Sequence, residues 1–135
     1  MRLIVDTNRI IAALIKDSLA RRIITHINTD LLTISFSDKE VEKYRAYIIE
    51  KASIDSDEFD RIFETIRDRF IIINDTVIMT KINEAGKIMD NIDPDDTPFI
   101  AAALATNSDI WSDDNHFQKQ KSIRIWTTKD LEKFV

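Results

Sequence analysis

The stretch that decides the fold is MRLIVDTN at residues 1–8. Its first five residues are apolar except for Arg2, with β-branched Ile4 and Val5, and this run stops abruptly at the polar Asp6-Thr7-Asn8. A short apolar run bounded by turn-forming residues is typical of a strand buried on both faces of a parallel sheet. The stretch therefore predicts a buried first strand with Asp6 at its carboxyl end, where open α/β sheets place their ligand sites.

Strands and helices are expected to alternate along the rest of the chain. The further strands are predicted at residues 31–36, 71–73, 109–112 and 123–126. The helices are predicted at residues 9–16, 19–28, 37–51, 55–70, 80–89, 97–105 and 128–134. Asp17-Ser18 is expected to separate the first two helices, and Ser18 and Thr128 are expected to cap the helices that follow them. Tyr44 and Tyr47 are expected to face inward. This alternation predicts an α/β fold, a three-layer α/β/α sandwich around a central, mostly parallel sheet of four to five strands.

Length and composition limit the class of protein. A chain of 135 residues is expected to form one domain, residues 1–135. No apolar stretch approaches ~18 residues and no basic-then-apolar leader is present, so we expect neither a membrane span nor a signal peptide. The absence of cysteine excludes disulfides and thiolate metal sites, and it fits a cytoplasmic location. Two histidines make a His-rich zinc site hard to build. Carboxylates remain as metal ligands, which favours Mg²⁺ or Mn²⁺.

The net charge of −5 bears on the choice of partner. Taken alone it argues against nucleic acid, because phosphate binding usually leaves a basic footprint. The objection weakens if several acids converge on bound cations, since such ions reverse the local sign of the charge.

Four acidic residues occupy equivalent junctions in the predicted fold. Asp6 follows strand one, Glu40 lies in the first turn of the helix after strand two, Asp96 precedes the helix that starts at Thr97-Pro98, and Asp114 follows strand four. In a parallel sheet such junctions lie on the carboxyl edge. The four carboxylates are therefore expected to share one pocket.

Three of these acids also have an ordinary structural interpretation. Ser37-x-x-Glu40 is a capping box, Asp96 is a good helix N-cap, and Asp113-Asp114-Asn115 is common turn chemistry. Each is the more frequent explanation for a single residue. Four independent caps and turns, however, would not need to fall at one edge of the sheet, and the joint pattern favours a functional site.

Crowded carboxylates predict a cation and a hydrolytic reaction. They repel one another, so without a cation the pocket would be destabilising. One or two divalent ions remove that cost, and a pair can activate water and stabilise the leaving oxygen of a phosphodiester. A glycosidase needs only one acid pair, so a nuclease that acts by in-line attack of an activated water fits better.

The sequence resembles the PIN domain family over residues 1 to about 130. The motifs that carry the resemblance are the opening strand with Asp6-Thr7-Asn8, Glu40 in EVEKY, Asp96 in DDTPFIA, and Asp114 in WSDD. The resemblance implies a Mg²⁺- or Mn²⁺-dependent endoribonuclease, with Asp6, Glu40, Asp96 and Asp114 as catalytic and metal-binding acids. Thr7, Asn8 and Ser112 would support them. Many small PIN proteins are VapC-type toxins of toxin–antitoxin pairs and are commonly dimeric, so RNA, a small antitoxin and a second copy of the chain are the implied partners.

Several local assignments stay open. Glu42 competes with Glu40, Asp113 competes with Asp114, and Asp93 or Asp95 could hold a metal through water. His116 could contact a phosphate or donate a proton, although an exposed loop histidine is the more frequent case. Clustered cations could steer RNA, or they could simply form solvated faces; they are Arg21, Arg22, Lys39, Lys43, Lys119 and Lys121.

Two other functions compete with the ribonuclease. A non-catalytic PIN-like module could hold RNA or a protein without cleaving, but it would have no need of the four acids. A haloacid-dehalogenase-like phosphatase also begins with a strand-end Asp. That family wants a second Asp two residues later, where this chain has Asn8.

Overall fold

The structure is a computed structural model that describes residues 1–16 and 18–135. Within these residues one sheet of five strands is formed by β1 (Arg2–Val5), β2 (Asp30–Ile34), β3 (Phe70–Ile73), β4 (Asp109–Trp111) and β5 (Ile125–Trp126). Their order is β3-β2-β1-β4-β5, and every neighbouring pair is parallel. The stretch at residues 1–5 therefore supplies the central strand, and the predicted parallel α/β sheet is confirmed.

The helices form the two outer layers. In chain order, those in the described residues are α1 (Thr7–Ile15), α2 (Leu19–His26), α3 (Ser35–Lys43), α4 (Arg45–Ala52), α5 (Ser56–Arg67), α6 (Asp75–Met79), α7 (Ile82–Met89), α8 (Thr97–Thr106) and α9 (Thr128–Leu131). Short 3₁₀ turns are at Pro94–Asp96, Phe117–Lys119 and Glu132–Phe134. Each of these helices is too short or too polar to cross a membrane.

Two hydrophobic cores lie on opposite faces of the sheet because successive strand side chains alternate in direction. Leu3 and Val5 belong to the core with α1, α2 and α5, whereas Ile4 belongs to the core with α7 and α8. All three are fully buried. The chain must therefore leave β1 at a point covered on both sides, and Asp6 is the first polar residue there.

The structure corrects the predicted helix at residues 37–51. It is two helices, α3 and α4, separated at Tyr44, whose φ of −95° and ψ of 11° lie outside the helical region. Tyr44 and Tyr47 were expected to face inward, yet they are 42% and 50% exposed. A bend with near-helical spacing keeps the apolar period of the sequence, so periodicity alone does not reveal it.

Other boundaries also differ from the prediction. The helix expected at residues 80–89 is α7, which begins at Ile82, and the short α6 before it was not predicted. Phe70 belongs to β3 rather than to the preceding helix. Ser18 caps α2 as predicted. The cap of α9 is Thr127, which forms a capping box with Asp130, because the Thr128 hydroxyl is engaged by Asp113 and Trp111. Asp17, predicted to separate α1 from α2, lies outside the described residues.

Candidate metal-dependent active site

Asp6 is fixed at the end of the central strand. Its backbone N–H donates to the carbonyl of Trp111 at 3.0 Å, and its Oδ2 accepts a 2.7 Å hydrogen bond from Ser112 Oγ. Oδ1 accepts a long bond from the Asn8 backbone N–H, so Asp6 also caps α1. Burial raises the pKa of Asp6; the bonds from Ser112 and Asn8 partly oppose this rise, and the charge of Asp114 adds to it.

Ser112 connects Asp6 to Asp114. The Ser112 side chain is fully buried, and its Oγ also accepts the backbone N–H of Asp114 at 3.0 Å. The loop after β4 is thereby tied to the carboxylate that follows β1. Two neighbouring parallel strands thus bring their terminal acids together, as the sequence predicted from the shared edge.

Asp96 lies among like charges at the start of α8. It occupies the N-cap position, but its side chain makes no cap hydrogen bond. Burial, followed by the negative charges of Asp93, Asp6 and Asp114, raises its pKa to about 7. Its Oδ2 is buried and has no hydrogen-bond partner among the described residues. The capping interpretation of this residue is therefore wrong, and its carboxylate is left for another ligand.

His116 and Asp93 complete this cluster. The Nδ1 atom of His116 lies 3.0 Å from Asp93 Oδ2, 3.6 Å from Asp114 Oδ1 and 3.8 Å from Asp96 Oδ2. Asp93, Asp96 and His116 each offer a ligand atom, and these atoms lie within 4.8 Å of one another. From the sequence, His116 was open between a phosphate contact or proton donor and an exposed loop histidine, and its position two residues after Asp114 was the signal that it lies near the acids.

Glu40 approaches the same site from α3. It is half-buried and lines one cleft together with Asp6, Asp95 and Asp96. Glu42 is exposed and lies 3.7 Å from Arg45, so Glu40 is the acid of this pair that borders the cleft.

The predicted capping box at Ser37 and Glu40 is wrong. Helix α3 begins at Ser35 without a side-chain cap. The Ser37 hydroxyl is instead 2.8 Å from the hydroxyl of Thr7, and both residues are buried. Because this hydrogen bond joins α1 to α3, Thr7 holds the helix of Glu40 beside Asp6 rather than presenting its hydroxyl to a ligand.

Asp113 has a structural role. Its carboxylate lies 2.9 Å from the Arg9 guanidinium and accepts bonds from both the backbone N–H and the hydroxyl of Thr128, each at 2.7 Å. These contacts use both carboxylate oxygens at the start of α9. Of the Asp113-Asp114 pair, Asp114 is therefore the residue that joins the acidic cluster.

A cleft of about 650 Å³ is lined by the acids Asp6, Glu40, Asp95 and Asp96. The wall of this cleft also includes Ile11, Ile15, Lys43 and three exposed aromatic rings. The rings belong to Phe36, Tyr44 and Tyr47. Sequence reasoning missed this wall because it placed both tyrosines in the core.

Comparison with known proteins identifies the family. The sequence model of the PIN domain matches residues 4–134. The chain belongs to the PIN domain family. Its fold is also similar to a chain in the crystal structure of VapBC2 from Rickettsia felis bound to a DNA fragment from their promoter. That likeness has a TM-score of 0.66 and 14% sequence identity, and it covers 94% of this chain and 98% of the other. No curated protein matches by sequence.

Proposed function

We propose that this PIN domain, spanning residues 1–135, is a divalent-metal-dependent endoribonuclease whose catalytic acids are Asp6, Glu40, Asp96 and Asp114. The observation that carries the proposal is the state of Asp96. Within residues 1–16 and 18–135 its buried Oδ2 finds no hydrogen-bond partner, and it is surrounded by further carboxylates. Burying an unpaired charge is costly, and a PIN domain that keeps such a carboxylate gains from binding a cation there.

The donor set fits Mg²⁺ or Mn²⁺, because both ions take oxygen ligands from carboxylates. An ion bound among Asp6, Asp96 and Asp114 would lower the pKa of a water molecule and stabilise charge on the reacting phosphate. Ser112 orients Asp6 and Asp114, while the Thr7–Ser37 bond keeps Glu40 near them. Asn8, which is exposed and lines the cleft, is placed to contact the phosphate group.

The rest of the cleft suits an RNA strand. Exposed aromatic rings offer surfaces for base stacking, and lysines pair with the backbone phosphates. Phe36, Tyr44 and Tyr47 supply the rings, and Lys43 supplies a cation beside the acids. This local arrangement, rather than the overall acidic charge, would hold the substrate.

We also propose that the protein is the toxin of a toxin–antitoxin pair and that it acts in the cytoplasm as a homodimer with a small antitoxin partner. The similarity of its fold to a VapBC2 chain supports this assignment. Co-expression with the neighbouring reading frame, followed by size-exclusion chromatography with light scattering, tests it. A stable complex and a dimeric mass are expected, whereas a monomer without a captured partner would contradict it.

The catalytic proposal is tested by incubating the purified chain with labelled RNA in Mg²⁺, in Mn²⁺ and in EDTA. Cleavage is expected with either ion and not with EDTA. Asp6→Asn and Glu40→Gln should lower the rate by about 100-fold or more, since each removes a carboxylate from the ion site. Glu42→Gln is the matched control and should cleave like the parent. RNA that is bound but never cut would instead indicate a non-catalytic module.

A further inference from the structure

His116 is held at its place by the loop around it. Its backbone N–H donates to Asp114 Oδ1 at 2.9 Å, and its carbonyl accepts the Lys119 N–H. The following residue, Phe117, is fully buried and meets Phe99 edge-on with ring centroids 6.2 Å apart. Because its neighbour is anchored in the core, the backbone at His116 is held in place by the fold.

The Nδ1 atom of His116 has the spacing of a metal ligand. Ligand atoms around an octahedral ion with bonds of roughly 2.1 Å stand about 3 Å apart when adjacent and about 4.2 Å apart when opposite. The distances from Nδ1 to Asp93, Asp114 and Asp96 are 3.0, 3.6 and 3.8 Å, all within or at the edge of that interval.

Hydrogen bonding does not use these atoms. Among the described residues, neither the buried Nδ1 atom of His116 nor the buried Oδ2 atom of Asp96 has a hydrogen-bond partner, while the His116 side chain as a whole is 43% exposed. The contact from Nδ1 to Asp93 Oδ2 is short, but it lacks the alignment of a hydrogen bond. A purely structural histidine in this loop would turn its ring nitrogen toward solvent or toward a well-aligned acceptor. Two adjacent ligand-type atoms that make no hydrogen bond among the described residues indicate that they share a bound ion.

We propose that His116, together with Asp93 and Asp96, ligates a divalent ion at this site and makes the site prefer Mn²⁺ to Mg²⁺. The inference rests on the proposed metal-dependent function. Imidazole nitrogen is a good ligand for transition ions, whereas Mg²⁺ prefers oxygen donors and keeps several of its waters. An all-carboxylate site would discriminate less between the two ions, so the histidine sets the choice.

The test is the binding of Mn²⁺ and of Mg²⁺ measured by isothermal titration for the parent, His116→Ala and His26→Ala. His26 is the only other histidine in the sequence and is exposed at the end of α2, which makes it the matched control. His116→Ala should raise the Kd for Mn²⁺ about tenfold or more and the Kd for Mg²⁺ by less than about threefold. His26→Ala should change neither.

Pulsed electron paramagnetic resonance on the Mn²⁺-loaded parent supplies a measurement that needs no variant. Nitrogen modulation from a directly bound imidazole is expected in the parent and in His26→Ala, and it should be lost in His116→Ala. Absence of nitrogen coupling in the parent, or an unchanged Mn²⁺ Kd in His116→Ala while Asp6→Asn still abolishes cleavage, would overturn the inference and leave the ribonuclease standing. No Mn²⁺ binding by the parent at millimolar concentration would overturn both.

Discussion

Ser112 Oγ donates a 2.7 Å hydrogen bond to Asp6 Oδ2 across a separation of 106 residues. Ser112 Oγ also accepts a hydrogen bond from the backbone N–H of Asp114. One buried hydroxyl therefore joins the carboxyl ends of β1 and β4, and it fixes the separation of two acids that the sequence could place only on a common edge.

Ser112→Ala should lower the free energy of unfolding by about 1.5–3 kcal/mol, because it leaves a buried carboxylate oxygen without its donor. Urea denaturation in EDTA measures the loss. Ser108→Ala is the matched control: Ser108 is also buried, but its hydroxyl bonds only to Thr106. A neutral hydrogen bond contributes about 0.5–1.5 kcal/mol, so the control should lose less. Equal losses would show that the Ser112–Asp6 hydrogen bond stabilises the fold no more than a neutral hydrogen bond does.

Asp96 should make the ion-free protein less stable as the pH rises from about 4 to 7. The pKa of Asp96 is raised from 3.8 to about 7, so the folded state binds more protons than the unfolded chain in this interval, and folding weakens as the pH increases. Above about pH 7 the Asp96 carboxylate is ionised in the folded state, and the full cost of burying its charge among the other carboxylates is present. Asp96→Asn should flatten this part of the curve.

Thermal melting in EDTA between pH 5 and pH 8 measures this dependence. Asp113→Asn is a suitable comparison, since Asp113 is paired with Arg9 and Thr128 and is not part of the acidic cluster. A parent whose pH dependence matches that of Asp96→Asn would contradict the assignment of the crowded carboxylate.

Divalent cation should raise the melting temperature, because it binds the gathered carboxylates and not the unfolded chain. At 100 times the dissociation constant the stabilisation is about 2.7 kcal/mol, which corresponds to roughly 10 °C for a chain of this size. Differential scanning fluorimetry with EDTA, Mg²⁺ or Mn²⁺ measures the shift. Asp113→Asn should keep the shift and Asp96→Asn should lose most of it; identical melting curves with and without ion would be inconsistent with a cation site.

The sequence was sufficient for the elements whose signals are local. The apolar run before Asp6 predicted the central strand, and the alternation of strands and helices predicted the parallel sheet that brings Asp6 and Asp114 together. Glu40 and Asp96 were selected because they occupy equivalent junctions at the same predicted sheet edge, and the family resemblance supported them, although a helix cap was the more frequent explanation of each residue alone.

What the sequence could not provide depends on tertiary contacts. The bend at Tyr44 contains neither Gly nor Pro, so the run from α3 into α4 resembles one continuous helix. The pairing of Thr7 with Ser37 and the approach of His116 to Asp93 join segments that are far apart in the chain. Such contacts follow from how the layers pack and leave no spacing pattern in the sequence.

The rings of Tyr44 and Tyr47, which lie at and after the bend between α3 and α4, are exposed and available to the bases of a bound RNA. If bases stack on the exposed rings, Tyr44→Ala and Tyr47→Ala should each raise the Kd for a single-stranded RNA about 5- to 150-fold, since stacking on an aromatic ring contributes about 1–3 kcal/mol per base. Fluorescence anisotropy in Ca²⁺, or on Asp6→Asn, measures binding without cleavage. Tyr44→Phe and Tyr47→Phe keep the ring and should bind like the parent. If the Phe variants are as weak as the Ala variants, stacking is not the contact.

The most direct measurement of the cation site is anomalous diffraction from a crystal of the parent soaked in Mn²⁺. An anomalous peak is expected within bonding distance, roughly 2.2 Å, of the Asp96 carboxylate, inside the cluster that Asp6, Asp93, Asp114 and His116 form around it, with Glu40 lining the adjoining cleft. A well-ordered acidic cluster with no peak at millimolar Mn²⁺ would contradict the claim that the fold gathers these residues to bind an ion.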